Sequence, residues 1–522
     1  MVLWASASQV AGPDDVVCEG ATADSRDVQA GHLFVGVPGE NVDGGLHAPE
    51  AIAAGAAAVL VSEEAWGEIG DELRDSGAAI LVHHDPVRAL GLIGRGVLQG
   101  LGARVVGVTG SYGKTSTKDS VVAVLRAAGA RAEGTPGNRN TEVGVPLSIL
   151  GLPDDTQVAV IEMGMRGTGQ IAELAALAPP DVAVITSVGP VHLELLGTVE
   201  AIAAAKAEIL AALPDGGVAV VPADEPLLDP HVARMPPAIE VRRFGDDPDI
   251  PLDLGDMKAW ERRNMAAAVQ AALALGLAPA PGTHVVLERS AMRGAEHALP
   301  GGGVLVEDCY NANPPAMDAA LSDLCRRPGR HVAVLADMLE LGPGEEEFHR
   351  EVGVRARDLG VDLLVAVGPR AAAYPRGAEG VDSVVFADTD AAVAGVPALI
   401  APGDAVLVKG SRGMAMERVA SAILGRGKAR ATRAHRGHRV GHAAAIPGPA
   451  RHPLAARSRR GAVRPPPGGD PAGACGEAGH PHHGWAAHPA GHGHPVPHPV
   501  VAQHRLDAGA LHHARLRHHR LR

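Results

Sequence analysis

The stretch Val105 to Lys118 reads VVGVTGSYGKTSTK, and the fold follows from it. Val105, Val106 and Val108 form a β-branched run that enters a turn at Gly110-Ser111-Tyr112-Gly113. Lys114, Thr115 and Ser116 come next, and Val121, Val122, Val124 and Leu125 then recur as the buried face of an amphipathic helix. A strand, a glycine loop and a helix start together offer backbone N–H groups and a positive helix end to an anion. A lysine there reaches terminal phosphates, and a threonine hydroxyl suits Mg²⁺. Val108 stands where the strict phosphate-loop pattern has its first glycine, leaving Gly-x-x-Gly-Lys-Thr. The alternative is a glycine-rich turn with a surface lysine, against which the strand–loop–helix context argues.

Downstream, Thr135 to Leu147 is a polar, glycine-bearing loop, PGNRNTE at its centre, before a helix. Val158 to Ile161 is an apolar strand ending in Glu162-Met163-Gly164. Ligands of parallel α/β sheets collect outside the carboxyl ends of strands, so an acid there is well sited to hold Mg²⁺. Val182 to Thr186 repeats the pattern and leads to His192, which reads equally as a structural histidine or a ligand. A helix is predicted over 198–213, and on it spacing alone makes Lys206 an exposed lysine paired with glutamate.

Upstream, residues 22–62 alternate strands (Leu33–Val37, Ala58–Val61) with a small-residue helix. Ser25-Arg26 and Asp43-Gly44 punctuate the loops. A Ser–Arg pair can hydrogen-bond an anionic or planar ligand, but loop chemistry favours a solvated turn. Beyond residue 288, strand-like runs recur at Val304–Val306, Val332–Leu335, Leu363–Val367 and Ala405–Val408. Asp308, Asp337 and Lys409 all fall at their ends, which points to a ligand-facing surface.

The chain has 522 residues, enough for three or four domains at about 150 residues each. Aromatics are 2%, so the cores must be built from Val, Leu, Ile and Ala. The net charge of −13 argues against general nucleic-acid binding. Cys18, Cys309, Cys325 and Cys475 are scattered without metal or redox spacing, as in a reducing compartment. The start lacks a signal-peptide pattern, and no apolar run approaches the roughly 18 residues of a bilayer span. From about Lys428 the chain is rich in Arg, His, Pro, Gly and Ala, with Asp470, Glu477 and Asp507 its only acids. It lacks periodicity and is predicted to be disordered; its bias suggests out-of-frame translation of GC-rich DNA, and nothing orders its histidines into a metal site.

Taken together, TGSYGKTSTK, DSRDVQAGHLFVGVPGENVDG, DCYNANP, DMLELG and KGSRGMAMERV resemble the Mur ligases of bacterial peptidoglycan synthesis over about residues 22–424. No DNPR segment, the mark of enzymes adding diaminopimelate, is present. The resemblance implies an α/β, three-domain architecture: a UDP-substrate domain (1–103), a central parallel-sheet ATPase domain of P-loop type (104–287) and a Rossmann-like ligase domain (288–426), followed by a disordered tail (427–522). It implies an ATP- and Mg²⁺-dependent amide ligase, cytoplasmic and monomeric, without nucleic acid or membrane insertion. Its substrates would be UDP-N-acetylmuramoyl-tripeptide and D-alanyl-D-alanine, joined through an acyl phosphate. The alternatives are a catalytically defective nucleotide-binding homologue and a ligase with another acceptor.

The same resemblance assigns Lys114, Lys206 and His192 to catalysis, with Lys206 carbamylated. It places Gly110, Ser111, Gly113, Lys114, Thr115, Ser116, Asn138, Arg293, Asp308 and Asn311 on the nucleotide. Thr115, Glu162, His192 and Lys206 go to the metal, and Ser25 and Arg26 to the UDP moiety. Three features depart from the pattern: Ala336 before DMLELG, Arg263 before Asn264, and a short stretch from Phe244 to Asn264 in which 249–258 reads as a splice.

Overall fold

The computed structural model describes residues 1–191, 193–288 and 292–425; the His192 assignment and the tail therefore lie outside the described residues. Three sheets follow one another along the chain. The first holds β1 (Ser8–Ala11), β2 (Gly20–Thr22), β3 (His32–Val35), β4 (Ala58–Val61) and β5 (Ala79–Val82) in the order β1-β5-β4-β3-β2. Only β1, on the edge, runs antiparallel.

The central sheet is wholly parallel. It comprises β6 (Arg104–Thr109), β7 (Ala132–Gly134), β8 (Val158–Glu162), β9 (Val182–Ile185), β10 (Val218–Pro222) and β11 (Glu240–Phe244), ordered β11-β10-β9-β6-β8-β7. Strands β6, β8 and β9 are buried on both faces, which is why they read as continuous apolar runs. Helices α1 (Lys114–Ala127), α2 (Val199–Ala207) and α3 (Ala259–Ala274) accompany this sheet. The helix predicted over 198–213 begins at a Thr198 cap and passes into a 3₁₀ turn at Glu208–Ala212. α1 and α3 bury Val121, Val124, Leu125, Met265 and Val269 in one core with Val106, Val160 and Val184.

The third sheet contains β12 (Ala295–Ala298), β13 (Val304–Asp308), β14 (His331–Ala336), β15 (Leu363–Val367), β16 (Asp382–Phe386) and β17 (Ala405–Lys409), ordered β12-β13-β17-β14-β15-β16. Only edge strand β12 is antiparallel. α4 (Pro314–Leu324) and α5 (Glu345–Leu359) cover one face and share a core with β14 and β15. Asp308 ends β13 opposite Lys409 at the end of β17, because the two strands pair in parallel register. No helix among the described residues is long and apolar enough to cross a membrane.

Candidate active site

A cleft of about 1030 Å³ lies between the central and third sheets. One wall is the glycine loop after β6. Its shape is set by close approach to the end of β9. A Cβ on Gly110 would fall 1.9 Å from Thr186 Oγ1, so only glycine fits there. Thr186 Oγ1 donates to Tyr112 O (2.6 Å), and Tyr112 N donates to Ser187 Oγ (3.0 Å). Ser111 Oγ donates to Gly189 O (3.0 Å), so this hydroxyl braces the loop against β9. Gly113, at φ 81°, caps α1. Lys114 Nζ folds over the loop onto Gly110 O (2.8 Å). Burial pushes its pKa down, partly opposed by Glu162, while Arg293 adds to the depression.

Thr115 is buried in the first turn of α1, and its Oγ1 donates to Glu162 Oε2 (2.6 Å). The other carboxylate oxygen of Glu162 accepts from Asn140 Nδ2 (2.8 Å). A hydroxyl and a carboxylate thus sit side by side at the phosphate end of the cleft. Lys206, read from spacing as exposed, is 1% exposed on α2. Its amine has no hydrogen-bond or ion-pair partner among the described residues. Burial lowers its pKa far below the ordinary lysine value, and Lys114 adds to the effect.

The opposite wall comes from the third domain. Arg293 lies over the Tyr310 ring, 3.9 Å from its centre, and Asn138 lines the same cleft from the central domain. Lys409 Nζ donates to Asp308 Oδ2 (2.6 Å) and Asn311 O (2.9 Å), and all three residues line the cleft with Ser116. Asp337 does not belong with them. It is buried, accepts from Ala371 N (2.7 Å) and closes against Gly368. Of the strand-end residues expected to face a ligand, this one is a structural anchor.

Ser25 and Arg26 are not in the cleft. They sit in a turn after β2, where Arg26 is exposed and forks onto Asp24 (2.8 and 2.5 Å). That pairing holds the Asp24 carboxyl down at about 2. Other cleft residues carry no site role in the sequence reading, although Arg263 and Asn264 stand out there as a departure from the family pattern. Asn264, on α3, accepts from Thr117 Oγ1 (3.1 Å) beside Gly113. Asn140 was signalled only by its place in the polar loop. Lys258 spans to the third domain through Asp323 (2.9 Å), which Arg327 also holds (2.8 Å). Arg263 lines the cleft next to Asn264, gripped by Asp224 and Asp246.

Family models match in chain order: the Mur ligase family catalytic domain over 18–69, the Mur ligase middle domain over 108–269 and the Mur ligase glutamate ligase domain over 293–412. The UDP-N-acetylmuramoyl-tripeptide–D-alanyl-D-alanine ligase of Bacillus subtilis is 33% identical, covering 79% of this chain and 94% of the relative. Its Escherichia coli counterpart is also 33% identical, over 78% and 94%. The crystal structure of Thermotoga maritima MurF in complex with ADP aligns with a TM-score of 0.67 at 29% identity, covering 80% of this chain and all of that one. The chain belongs to the Mur ligase family. Within that family it falls in the MurF branch.

Proposed function

We propose that this chain uses ATP to join D-alanyl-D-alanine to the free carboxylate of UDP-N-acetylmuramoyl-tripeptide, as a monomer in the cytoplasm. The observation that carries the reading is one cleft in which a phosphate loop, a Thr–Glu pair and a half-buried Asp308–Lys409 pair from a second domain converge. A peptide carboxylate is a poor acyl donor. Attack of its oxygen on the terminal phosphorus of ATP releases ADP and leaves an acyl phosphate. The free amine of the dipeptide then attacks the acyl carbon, phosphate departs with the bonding electrons, and the amine loses a proton. Lys114 and the loop N–H groups face the charge on the transferring group. Arg293, Asn138, Asp308 and Asn311 hold the nucleotide from the other wall, Ser25 and Arg26 hold the UDP end, and the two domains enclose the acyl phosphate away from water.

Mg²⁺ fits the donors present. Among the described residues no cluster of three or more His, Cys, Asp or Glu is gathered for a metal, but Thr115 and Glu162 offer two adjacent hard oxygens. That is the protein share expected for Mg²⁺ that also binds substrate phosphates. Bound there, it would neutralise charge on the phosphates. The Lys206 amine is a poor partner for Mg²⁺. Burial favours its neutral form, which is the nucleophile toward CO₂, and the N–C bond formed with loss of a proton makes a carbamate carboxylate. The test is ADP release by the full chain with UDP-N-acetylmuramoyl-tripeptide and Mg²⁺-ATP, with and without D-alanyl-D-alanine. Dipeptide-dependent turnover supports the reading. Nucleotide binding without such turnover, or preference for a single amino acid, overturns it.

A further inference from the structure

Lys118 lies one turn beyond Lys114 on α1 and is 3% exposed. Its stem runs over Gly134, where a Cβ would come 3.4 Å from Lys118 Cδ and 3.1 Å from Val122. Its Nζ donates to Thr135 O (2.7 Å) and pairs with Asp119 (3.0 Å). A buried ammonium is tolerated only when held in this way. The residue it grips matters more than the grip. Thr135 is itself buried, and its Oγ1 accepts from Glu162 N (3.1 Å). From Thr135 the chain runs through Asn138 to Asn140. Asn140 donates through Nδ2 to Glu162 Oε1 (2.8 Å) and accepts at its carbonyl from Gly164 N (2.8 Å). The remaining Glu162 oxygen accepts from Thr115.

We infer that Lys118 is a positioning residue: its ammonium clamps loop 135–140 to α1 and so fixes the Glu162 carboxylate opposite Thr115. The path is short and closed. α1 carries both Thr115 and Lys118, so the helix that presents the hydroxyl also sets the loop that orients the carboxylate. The rival reading is a satisfied buried lysine that contributes to stability alone. The two differ in what moves when the ammonium is removed and the volume kept. The inference rests on the reading of Thr115 and Glu162 as the cation and phosphate site.

The experiment compares wild type, Lys118→Met and Lys118→Arg as full chains. Mn²⁺ affinity in the presence of ADP is read by electron paramagnetic resonance, and amide exchange over 135–140 is followed in metal-free protein. Groups that orient metal ligands typically govern affinity by 10–100-fold. Lys118→Met is expected to weaken Mn²⁺ binding by about 10-fold or more and to speed exchange over 135–140. Its turnover falls by a similar factor while KM for ATP shifts less than about 3-fold, and Lys118→Arg recovers part of the loss. A Lys118→Met protein with lower Tm but wild-type Mn²⁺ affinity and exchange overturns the inference. If Lys118→Met does not fold, Thr135→Val takes its place. It keeps the carbonyl that Lys118 grips and removes only the acceptor for Glu162 N–H. Weakened Mn²⁺ binding at near wild-type Tm supports the clamp, and unchanged binding overturns it. Wild-type protein that binds no Mn²⁺ with ADP sinks the reading of the site itself.

Discussion

Glu162→Gln separates chemistry from folding at the centre of the cleft. The side chain keeps its length and shape, and the change removes one negative charge from a position 1% exposed. Two bonds are affected: Thr115 Oγ1 to Oε2 (2.6 Å) and Asn140 Nδ2 to Oε1 (2.8 Å). Both partners can adapt, because a hydroxyl can donate or accept and the Asn140 amide can turn its oxygen toward a donor. Each bond falls from the charge-assisted range (about 1.5–3 kcal/mol) to the neutral range (about 0.5–1.5 kcal/mol), a loss of about 1–2 kcal/mol apiece. Against that stands relief of a buried carboxylate's desolvation, worth several kcal/mol. Stability should therefore change by no more than about 2 kcal/mol in either direction. Activity has no such offset, since an amide cannot supply the negative charge that would hold Mg²⁺ against the phosphates. Turnover should fall by about 10²–10³-fold, or about 2.7–4 kcal/mol, the size expected for one lost electrostatic stabiliser. The assay is ADP release at saturating substrates, with Tm measured on the same preparation. Turnover within about 3-fold of wild type would refute the placement of Glu162 in the chemistry. A fall in both activity and stability would show a scaffolding carboxylate instead.

Lys206→Met should separate stability from activity: the buried stem of a residue 1% exposed is kept, so Tm should hold, while turnover falls at least about 100-fold in the same ADP assay. His349 is wholly buried, its Nε2 accepts from Met338 N (2.9 Å), and burial lowers its pKa. The folded state thus binds fewer protons than the unfolded one, so stability is complete above the unfolded pKa of about 6.5 and is lost as pH falls below it, at up to about 1.4 kcal/mol per pH unit until the folded pKa is reached. Denaturant titrations across pH 5–8 should show that acid slope in wild type and its loss in His349→Phe; equal slopes would exclude His349 as the source. A double-mutant cycle on Lys258→Met and Asp323→Asn should give a coupling of about 1–2 kcal/mol in stability, because the pair is mostly buried between two domains, and a coupling near zero would mean the domains are not latched there.

The glycine loop, its flanking strand and α1 were legible because each carries a local signal: a β-branched run, two glycines in one turn, and apolar residues at helical spacing. The burial of Lys206 was not. Its helix reads VEAIAAAKA, and with alanine on nearly every face there is no contrast to show which side is buried. Edge strands were illegible for a related reason. β11 and β16 expose most of their residues, so Glu240–Phe244 and Asp382–Phe386 lack the apolar run that marked β8 and β9. Asn264 joins the site only because α3 packs on α1, a contact between segments about 150 residues apart that no local pattern encodes. Asp337 shows the converse error. Its place at a strand end resembles that of Asp308, but Gly368 and Ala371 close over it, and closure depends on the neighbouring strand's loop.

The short stretch after β11 bears most directly on whether the cleft is competent. As a bare splice it would leave the adjoining core open and α3 loosely held. Instead Phe244 and Leu254 are 3% and 7% exposed in the core that contains Val285, Met265 and Val269. Residues 251–253 are bonded to the 282–285 segment: Gly282 N donates to Pro251 O (2.7 Å), Asp253 N to Thr283 O (3.0 Å) and Val285 N to Asp253 O (3.2 Å). Asp246 and Asp247 reach back to Arg263 and Arg262, and Asp249 to Gln270. Glu261 accepts from Lys258 N (2.8 Å) and caps the start of α3. These bonds fix the rotation of α3 about its axis, and that rotation is what brings Asn264 to Thr117 and Gly113. The stretch is short, yet it packs into this face of the core and holds the one helix of the region that enters the site. Arg263→Ala should therefore loosen the stretch, since it frees Asp224 and Asp246 together, and should weaken nucleotide binding measured by calorimetry more than it lowers Tm. Equal affinity for ADP in Arg263→Ala and wild type would mean that α3 is held by its alanine-rich packing on α1 alone.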